Sequence, residues 1–255
     1  MSKFLQKVLY VKHWDTNLFS FQVERPKDFR FKSGEFVMIG LPDLQKPVLR
    51  AYSICSPSWD NILEFYSIIV EDGPLTSKLK HIKTDDKIIL MSKSTGTLIL
   101  DALKPAKRLF LFSTGTGFAP FSSIIQDPET YEKFEKVILT HTCRTKSEQK
   151  YSENIINSCF NNEMLREFIG EKLTYYKTTT KENSNFNGRI TNKIKDKSFY
   201  NDLKISELDS QDDCIMICGS LDFNNELKDL LLNKGFDEGA TNKPGTFVLE
   251  KAFVG

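Results

Sequence analysis

Arg50, Tyr52 and Ser53 stand together in the stretch LRAYSICSPS, residues 49–58. An extended chain sends successive side chains to opposite faces, so Arg50 and Tyr52 share one face and Ala51 and Ser53 the other. A cation, an aromatic hydroxyl and a small hydroxyl then meet on one short strand. Two readings follow. One is a barrel strand with a salt-bridged arginine and a packed tyrosine. The other is a binding strip for a molecule that carries phosphate and a flat ring.

Three further stretches hold groups suited to the same chemistry. EDGPLTSKL, residues 71–79, joins a tight turn to a helix start with the hydroxyls of Thr76 and Ser77, and free N–H groups there favour anions. Without Arg50 it reads as an ordinary capped helix; with Arg50 it reads as a grip on a pyrophosphate. STGTGFAP, residues 113–120, follows an apolar run and leads into a helix. Its glycines let backbone approach a ligand, although Pro120 breaks the full GxGxxG pattern. HTCRTK, residues 141–146, ends the next apolar run with Arg144 and Lys146, and Arg189 opens a later helix. An acidic residue at such a strand end suits the ribose of NAD, whereas cations suit a 2′-phosphate. Each cation alone also reads as solvated surface charge.

The elements that must position these groups fall into two regimes. Up to about residue 100 short runs alternate apolar and polar residues: KVLYVKHW, LFSFQVER, EFVMIGL, LRAYSICS, ILEFYSIIV, KIILMSK and GTLIL. That spacing predicts seven antiparallel strands of a sandwich or closed barrel, interrupted by one helix over 75–82. After Pro105 wholly apolar strands (108–114, 136–142, a run in KLTYYKT, 214–220 and one in TFVLEKAF) alternate with helical stretches, including 147–168 and 189–195. This predicts a parallel sheet covered on both faces. The boundary falls near 100–106, giving an N-terminal β-barrel domain, 1–101, and a C-terminal α/β domain, 102–255.

Composition narrows the function. The 255 residues are 40% hydrophobic with net charge +1, which excludes electrostatic nucleic-acid binding as the main activity. No apolar run nears the roughly 18–20 residues of a membrane helix, and the start lacks a signal-peptide pattern; a cytoplasmic protein is expected. Five cysteines without a CxxC, and three scattered histidines, speak against a disulfide framework, a metal site or an iron–sulfur cluster. The segment with Arg25, Lys27, Arg30 and Lys32 reads either as a solvated face or as a dock for an acidic partner.

Taken in order, RAYS, GPLTS, STGTGFAPF, CGS and the terminal EKAFVG closely resemble bacterial ferredoxin/flavodoxin–NADP reductases over essentially the whole chain. The resemblance implies a barrel that binds FAD and an α/β domain that binds NADP(H). It places Arg50 on the FAD pyrophosphate, Tyr52 on the isoalloxazine within the RAYS strand that includes Ala51, and Ser53 near flavin N5. Tyr66, Ser67 and Ile68 would line flavin and ribitol, and Leu75, Thr76 and Ser77 would hold the phosphates. Thr116 would lie where flavin meets nicotinamide, Arg144 and Arg189 would take the 2′-phosphate, and Cys218 would sit beside the nicotinamide. Ala252 stands where plant-type enzymes stack an aromatic, and Phe253 is expected against the adenine side of FAD, ordering a tail that returns to the flavin.

The chemistry implied is hydride transfer from NADPH to flavin N5, then electron release one at a time to a ferredoxin or flavodoxin. Ser53 and Glu250 are the polar groups expected to adjust proton supply near N5. Two other readings share the motifs: the reductase component of an oxygenase system, and a flavin-binding electron-transfer subunit that does not turn over NADP.

Overall fold

The computed structural model describes residues 2–42 and 48–252 of the chain. Its contacts divide it into two compact units. One runs up to Gly96 and includes Ala119–Asp127; the other is built from Thr97–Phe118 and Pro128–Ala252.

In the first unit β1 (Lys3–Asp15), β2 (Leu18–Glu24), β3 (Phe36–Gly40), β4 (Arg50–Ser53), β5 (Ile62–Ile68) and β6 (Lys87–Thr95) pair antiparallel in the order β4-β3-β6-β1-β2-β5. An antiparallel bridge from Ile54 to Phe65 joins the two ends of that order, so the sheet closes into a barrel. Alternation fills its interior with Phe19, Phe21 and Val23 from β2, Val37 and Ile39 from β3, and Leu63 and Phe65 from β5. Burying one such side chain contributes about 1.5–3 kcal/mol. A one-residue slip would turn a whole strand's set outward, so the core fixes the register.

Helix α1 is a single turn, Thr76–Leu79, shorter than the helix expected over 75–82. Beyond it the chain tightens into turns, with His81 N donating to Lys78 O (3.1 Å) and Ile82 N to Leu79 O (3.2 Å). The Ala119–Asp127 segment, most of helix α2 (Phe118–Ile125), is fastened by hydroxyls. Ser122 donates to Cys55 O (3.0 Å), Ser123 to Ser56 O (2.7 Å), and Ser33 and Ser58 to the Asp127 carboxylate (2.6 and 3.1 Å).

The second unit holds a parallel sheet of β7 (Arg108–Thr114), β8 (Lys136–Cys143), β9 (Leu173–Thr179), β10 (Asp213–Gly219) and β11 (Phe247–Lys251), ordered β11-β10-β7-β8-β9. Its remaining helices are α3 (Pro128–Lys133), α4 (Lys150–Asn161), α5 (Glu163–Ile169), α6 (Ile190–Lys195), α7 (Ser198–Leu203) and α8 (Leu221–Asn233). Every residue of β10 is buried, which is why these strands read as unbroken apolar runs. The strand order reverses at β7, between β8 and β10. Ligands of such sheets bind at the carboxyl ends of the strands beside that reversal.

Two sequence expectations are corrected here. GTLIL forms no seventh strand: Thr97 N donates to the Glu250 carboxylate and Leu100–Ala102 is a 3₁₀ turn. Leu98 and Ile99 are buried without joining a sheet, so their apolar character reports packing rather than pairing. The helical stretch 147–168 is broken at Asn162, whose backbone is extended and whose side chain accepts from Leu165 N (3.0 Å) to cap α5. No helix among the described residues is long and apolar enough to cross a membrane.

Candidate functional site

The groups singled out by sequence gather into two clusters, one in each unit. In the barrel, Arg50 and Tyr52 lie opposite Ile39 and Val37 in the β3–β4 pairing. Tyr52 is buried, edge-on to Phe21 and Phe65, and its hydroxyl lies 3.0 Å from Ser67 Oγ. Burial pushes its pKa up to about 12, against the lowering effects of Ser67 and of the Arg50 charge, so the phenol keeps its proton. Arg50 is half-buried, donates to Leu49 O (3.0 Å) and forms no ion pair among the described residues. A half-exposed guanidinium without a counterion, beside a buried phenol, suits a phosphate-bearing ring ligand such as FAD.

The other barrel residues are placed as follows. Ala51 and Ser53 are half-buried on the face of β4 opposite Tyr52. On β5 Ser67 turns toward Tyr52, so Tyr66 and Ile68 face the other side. A flavin could meet one of these sets through side chains and the other only through backbone. Leu75 is fully buried, Thr76 is 2% exposed, and only Ser77 is partly open. Thr76 Oγ1 donates to Val70 O (3.2 Å) and Ser77 Oγ to Gly73 O (2.6 Å). A hydroxyl has one hydrogen, so neither has one left to offer a ligand, and a phosphate would depend on backbone N–H groups. A cavity of about 560 Å³ lined by Val11, His13, Lys80, His81, Ile82, Lys83 and Thr84 includes none of the predicted residues.

Arg25 in the basic segment is a structural staple. It donates to Phe29 O, to Ser58 O and to Asp60 O (both 2.6 Å), and it lies over the Phe31 ring. Arg30 reaches back to Lys27 O (2.6 Å) but is exposed.

In the second unit β7 ends in a 3₁₀ turn, Gly115–Gly117, directly beside the end of β10. A Cβ on Gly117 would lie 2.0 Å from Cys218 O, so only glycine permits this approach. Thr116 is half-exposed on that turn. The Cys218 thiol is buried; burial, then the Glu250 charge, holds its pKa far above the usual thiol range. It is a neutral thiol in register with Glu250 of β11. The Glu250 carboxylate accepts from the N–H and the hydroxyl of Thr97, the latter at 3.0 Å. Its backbone carbonyl takes Asn224 Nδ2 (2.7 Å). Ala252, half-buried, donates its N–H to Gly219 O (2.9 Å). Phe253 lies outside the described residues.

The cations converge through backbone pairing. Cys143 of β8 lies opposite Thr179 of β9, and Gly188 N returns to Thr179 O (2.8 Å), which brings Arg189 back toward the strand end that carries Arg144. Lys181, missed by the sequence reading, donates its N–H to Arg144 O (2.9 Å). The signal was present: a cation follows the end of each of two adjacent apolar strands. Arg144, Lys181 and Arg189 are exposed and none is in an ion pair among the described residues. Lys146 differs, since Glu182 takes its ammonium at 3.8 Å and its N–H at 2.8 Å. A glycine cradle beside three free cations fits a phosphorylated dinucleotide. All five cysteines are buried thiols, none of them in a disulfide. Among the described residues no group of three or more His, Cys, Asp or Glu could hold a metal.

Comparison with known proteins matches both parts of the chain to described domains. Residues 6–98 match the family model of the oxidoreductase FAD-binding domain, and residues 111–229 that of the oxidoreductase NAD-binding domain. A flavodoxin/ferredoxin–NADP reductase of Rhodobacter capsulatus is 50% identical over 98% of this chain and 93% of its own length. A ferredoxin–NADP reductase of Pseudomonas aeruginosa is 44% identical over 98% of each chain. The crystal structure of a ferredoxin NADP+ reductase from Neisseria gonorrhoeae, with bound FAD and NADP, superposes with a TM-score of 0.89. It is 26% identical and is matched over 98% of this chain and 99% of that one.

Proposed function

Since the chain belongs to the ferredoxin/flavodoxin–NADP reductase family, we propose the following account of its activity. It is a flavoprotein oxidoreductase that exchanges electrons between NADP(H) and a one-electron carrier, a ferredoxin or flavodoxin, through FAD. The observation that carries this is the full-length likeness to such reductases, with a flavin-domain and a nucleotide-domain match side by side in one chain. We assign FAD to residues 1–101 and NADP(H) to residues 102–255.

FAD supplies the change from a two-electron hydride to single electrons; the chain supplies binding and orientation. Arg50 is the cation for the pyrophosphate, and the Tyr52–Ser67 pair fixes the barrel surface behind the flavin, with Ala51, Ser53, Tyr66, Ile68 and Ser77 as its further contacts. Leu75 and Thr76 act by shaping the phosphate turn from within. Gly117 and Thr116 receive the nicotinamide half of the dinucleotide, while Arg144, Lys181 and Arg189 hold its 2′-phosphate. Cys218, kept neutral, gives the nicotinamide an uncharged neighbour, and Glu250 and Ser53 handle the proton at N5. Ala252 leaves that face lightly covered. A cytoplasmic site of action accords with five cysteines kept as thiols rather than disulfides.

The test is the visible spectrum of the purified protein before and after anaerobic NADPH, followed by addition of ferredoxin or flavodoxin. A flavin spectrum bleached by NADPH and restored by the carrier is expected. A flavin that NADPH leaves oxidised would refute the reductase assignment.

A further inference from the structure

One buried polar network of the parallel sheet is left unused by the account above. His141, on β8, is 1% exposed. Its Nε2 lies 2.9 Å from Gly115 O and its Nδ1 2.9 Å from Ser152 Oγ. Ser152 Oγ also lies 2.7 Å from the Tyr175 hydroxyl and 2.8 Å from Gln149 O. A carbonyl can only accept, so Nε2 carries the hydrogen. Burial lowers the imidazole pKa to about 4, which leaves Nδ1 without a hydrogen at neutral pH, so it shares the single Ser152 hydroxyl hydrogen with Gln149 O. The ring also packs on Phe118, centroid to centroid 5.2 Å. Phe118 closes the Gly115–Gly117 turn by donating its N–H to Gly115 O. The imidazole therefore touches the turn at both ends.

What that contact controls follows from peptide geometry. Gly115 C=O and Thr116 N–H belong to one planar trans unit and point in opposite directions. Pinning the carbonyl onto His141 aims the Thr116 N–H away from the sheet interior. Gly115 has φ +51°, and a Cβ built on it would meet nothing within 4 Å, so sterics do not lock this peptide. A glycine can rotate such a unit at little cost; a second hydrogen bond to the carbonyl opposes that rotation.

Resting on the reductase reading, we propose that His141 is a positioning residue that holds the Gly115–Thr116 peptide with its N–H presented to the nicotinamide–pyrophosphate portion of NADP(H). The 2′-phosphate cations Arg144, Lys181 and Arg189 act independently of it. His141 touches no substrate and acts through Gly115.

Binding of NADP+ and of 2′-AMP to the FAD-loaded protein separates the two ends. His141→Leu is expected to weaken NADP+ about tenfold, because the Gly115 carbonyl loses the imidazole, keeps its bond from Phe118 N–H, and the Gly115–Thr116 peptide is freed to rotate, and to leave 2′-AMP within about twofold. His141→Gln, which can return an N–H to the Nε2 position, is expected to recover most of the NADP+ affinity. Unchanged NADP+ binding in folded His141→Leu overturns the proposal. So does a parallel loss of both probes that glutamine fails to restore, because that is the mark of a general structural role. Should the leucine variant not fold, Ser152→Ala frees Nδ1 and is expected to weaken NADP+ alone about threefold; no loss there also overturns it. A wild-type protein that binds FAD but not NADP+ would instead sink the reductase reading itself, and the proposal with it.

Discussion

The carboxylate of Glu250 is held by Thr97, which donates both its backbone N–H and its hydroxyl to the same oxygen across 153 residues of chain. This pairing explains why the apolar run after Gly96 packs without forming a strand. It also fixes a carboxylate in register with Cys218. Thr97→Val keeps the side-chain shape and removes one donor. A hydrogen bond to a charged group contributes about 1.5–3 kcal/mol, and partial exposure places this one near the lower figure. Urea unfolding is expected to shift to a lower midpoint with an unchanged slope. Glu250→Gln tests the proton role: carrier reduction should slow about tenfold at equal FAD content. An unmoved midpoint would discard the clasp, and an unmoved rate would discard the proton role.

The 2′-phosphate assignment predicts a selective loss. Charge-assisted contacts to a phosphate are the strong ones, and each contributes about 1.5–3 kcal/mol. Replacing Arg144 and Arg189 by Ala is expected to raise KM for NADPH at least tenfold, with KM for NADH nearly unchanged. Lys181→Ala, joined to Arg144 by its backbone, should add to that loss. Steady-state kinetics with both nucleotides and ferricyanide decide it. Equal losses for NADH and NADPH would move the 2′-phosphate site elsewhere.

Much of this arrangement is written locally in the chain. The central strands are legible because both faces are covered: β10 has no solvent face, so CIMICG carries no alternation to hide it. The barrel strands are legible from the opposite sign, with Leu63 and Phe65 inward and Glu64 half-buried between them. What escapes is decided by long-range partners. Ser122 and Ser123 read as indifferent helix residues, yet their hydroxyls tie Ala119–Asp127 to Cys55 and Ser56. Arg25 reads as a surface cation, but three backbone carbonyls occupy it. Thr76 and Ser77 suggest phosphate donors until their hydrogens are found on Val70 O and Gly73 O. Residue type announces a capacity to bond, and only the fold shows whether that capacity is already spent.

His141 gives stability a pH dependence of definite sign. Its folded pKa is about 4 against an ordinary 6.5, because burial disfavours the charged ring. The unfolded chain takes up a proton as pH falls below 6.5, whereas the native state does so only near 4. This contribution is complete above pH 6.5 and is lost progressively toward pH 4. Its full size is on the order of 3 kcal/mol. Carboxylates titrate in the same range, so the comparison that isolates His141 is with His141→Gln. The stability gap between wild type and this variant is expected to shift in the variant's favour as pH drops from 7 to 4.5. A pH-independent gap would show that the imidazole is not buried as a neutral ring.

Gly117 and Gly115 should respond in opposite ways to the same substitution, although both lie in one turn. A methyl group on Gly117 would sit 2.0 Å from Cys218 O and 2.6 Å from its carbon, both of them backbone atoms. Neither can swing aside as a flexible side chain would, so the turn must move off the end of β10. That displaces Thr116 and the backbone offered to the nicotinamide. At Gly115 the new methyl meets open space, and the cost is only that of holding alanine at φ +51°, about 1–2 kcal/mol. Gly115→Ala is therefore expected to lower thermal stability while keeping KM for NADPH within about threefold. Gly117→Ala should raise that KM at least tenfold and slow flavin reduction in stopped flow, with FAD content intact because the flavin contacts proposed on the barrel are untouched. Equal KM values for the two variants would mean that the close approach of β7 and β10 does not shape the nucleotide site.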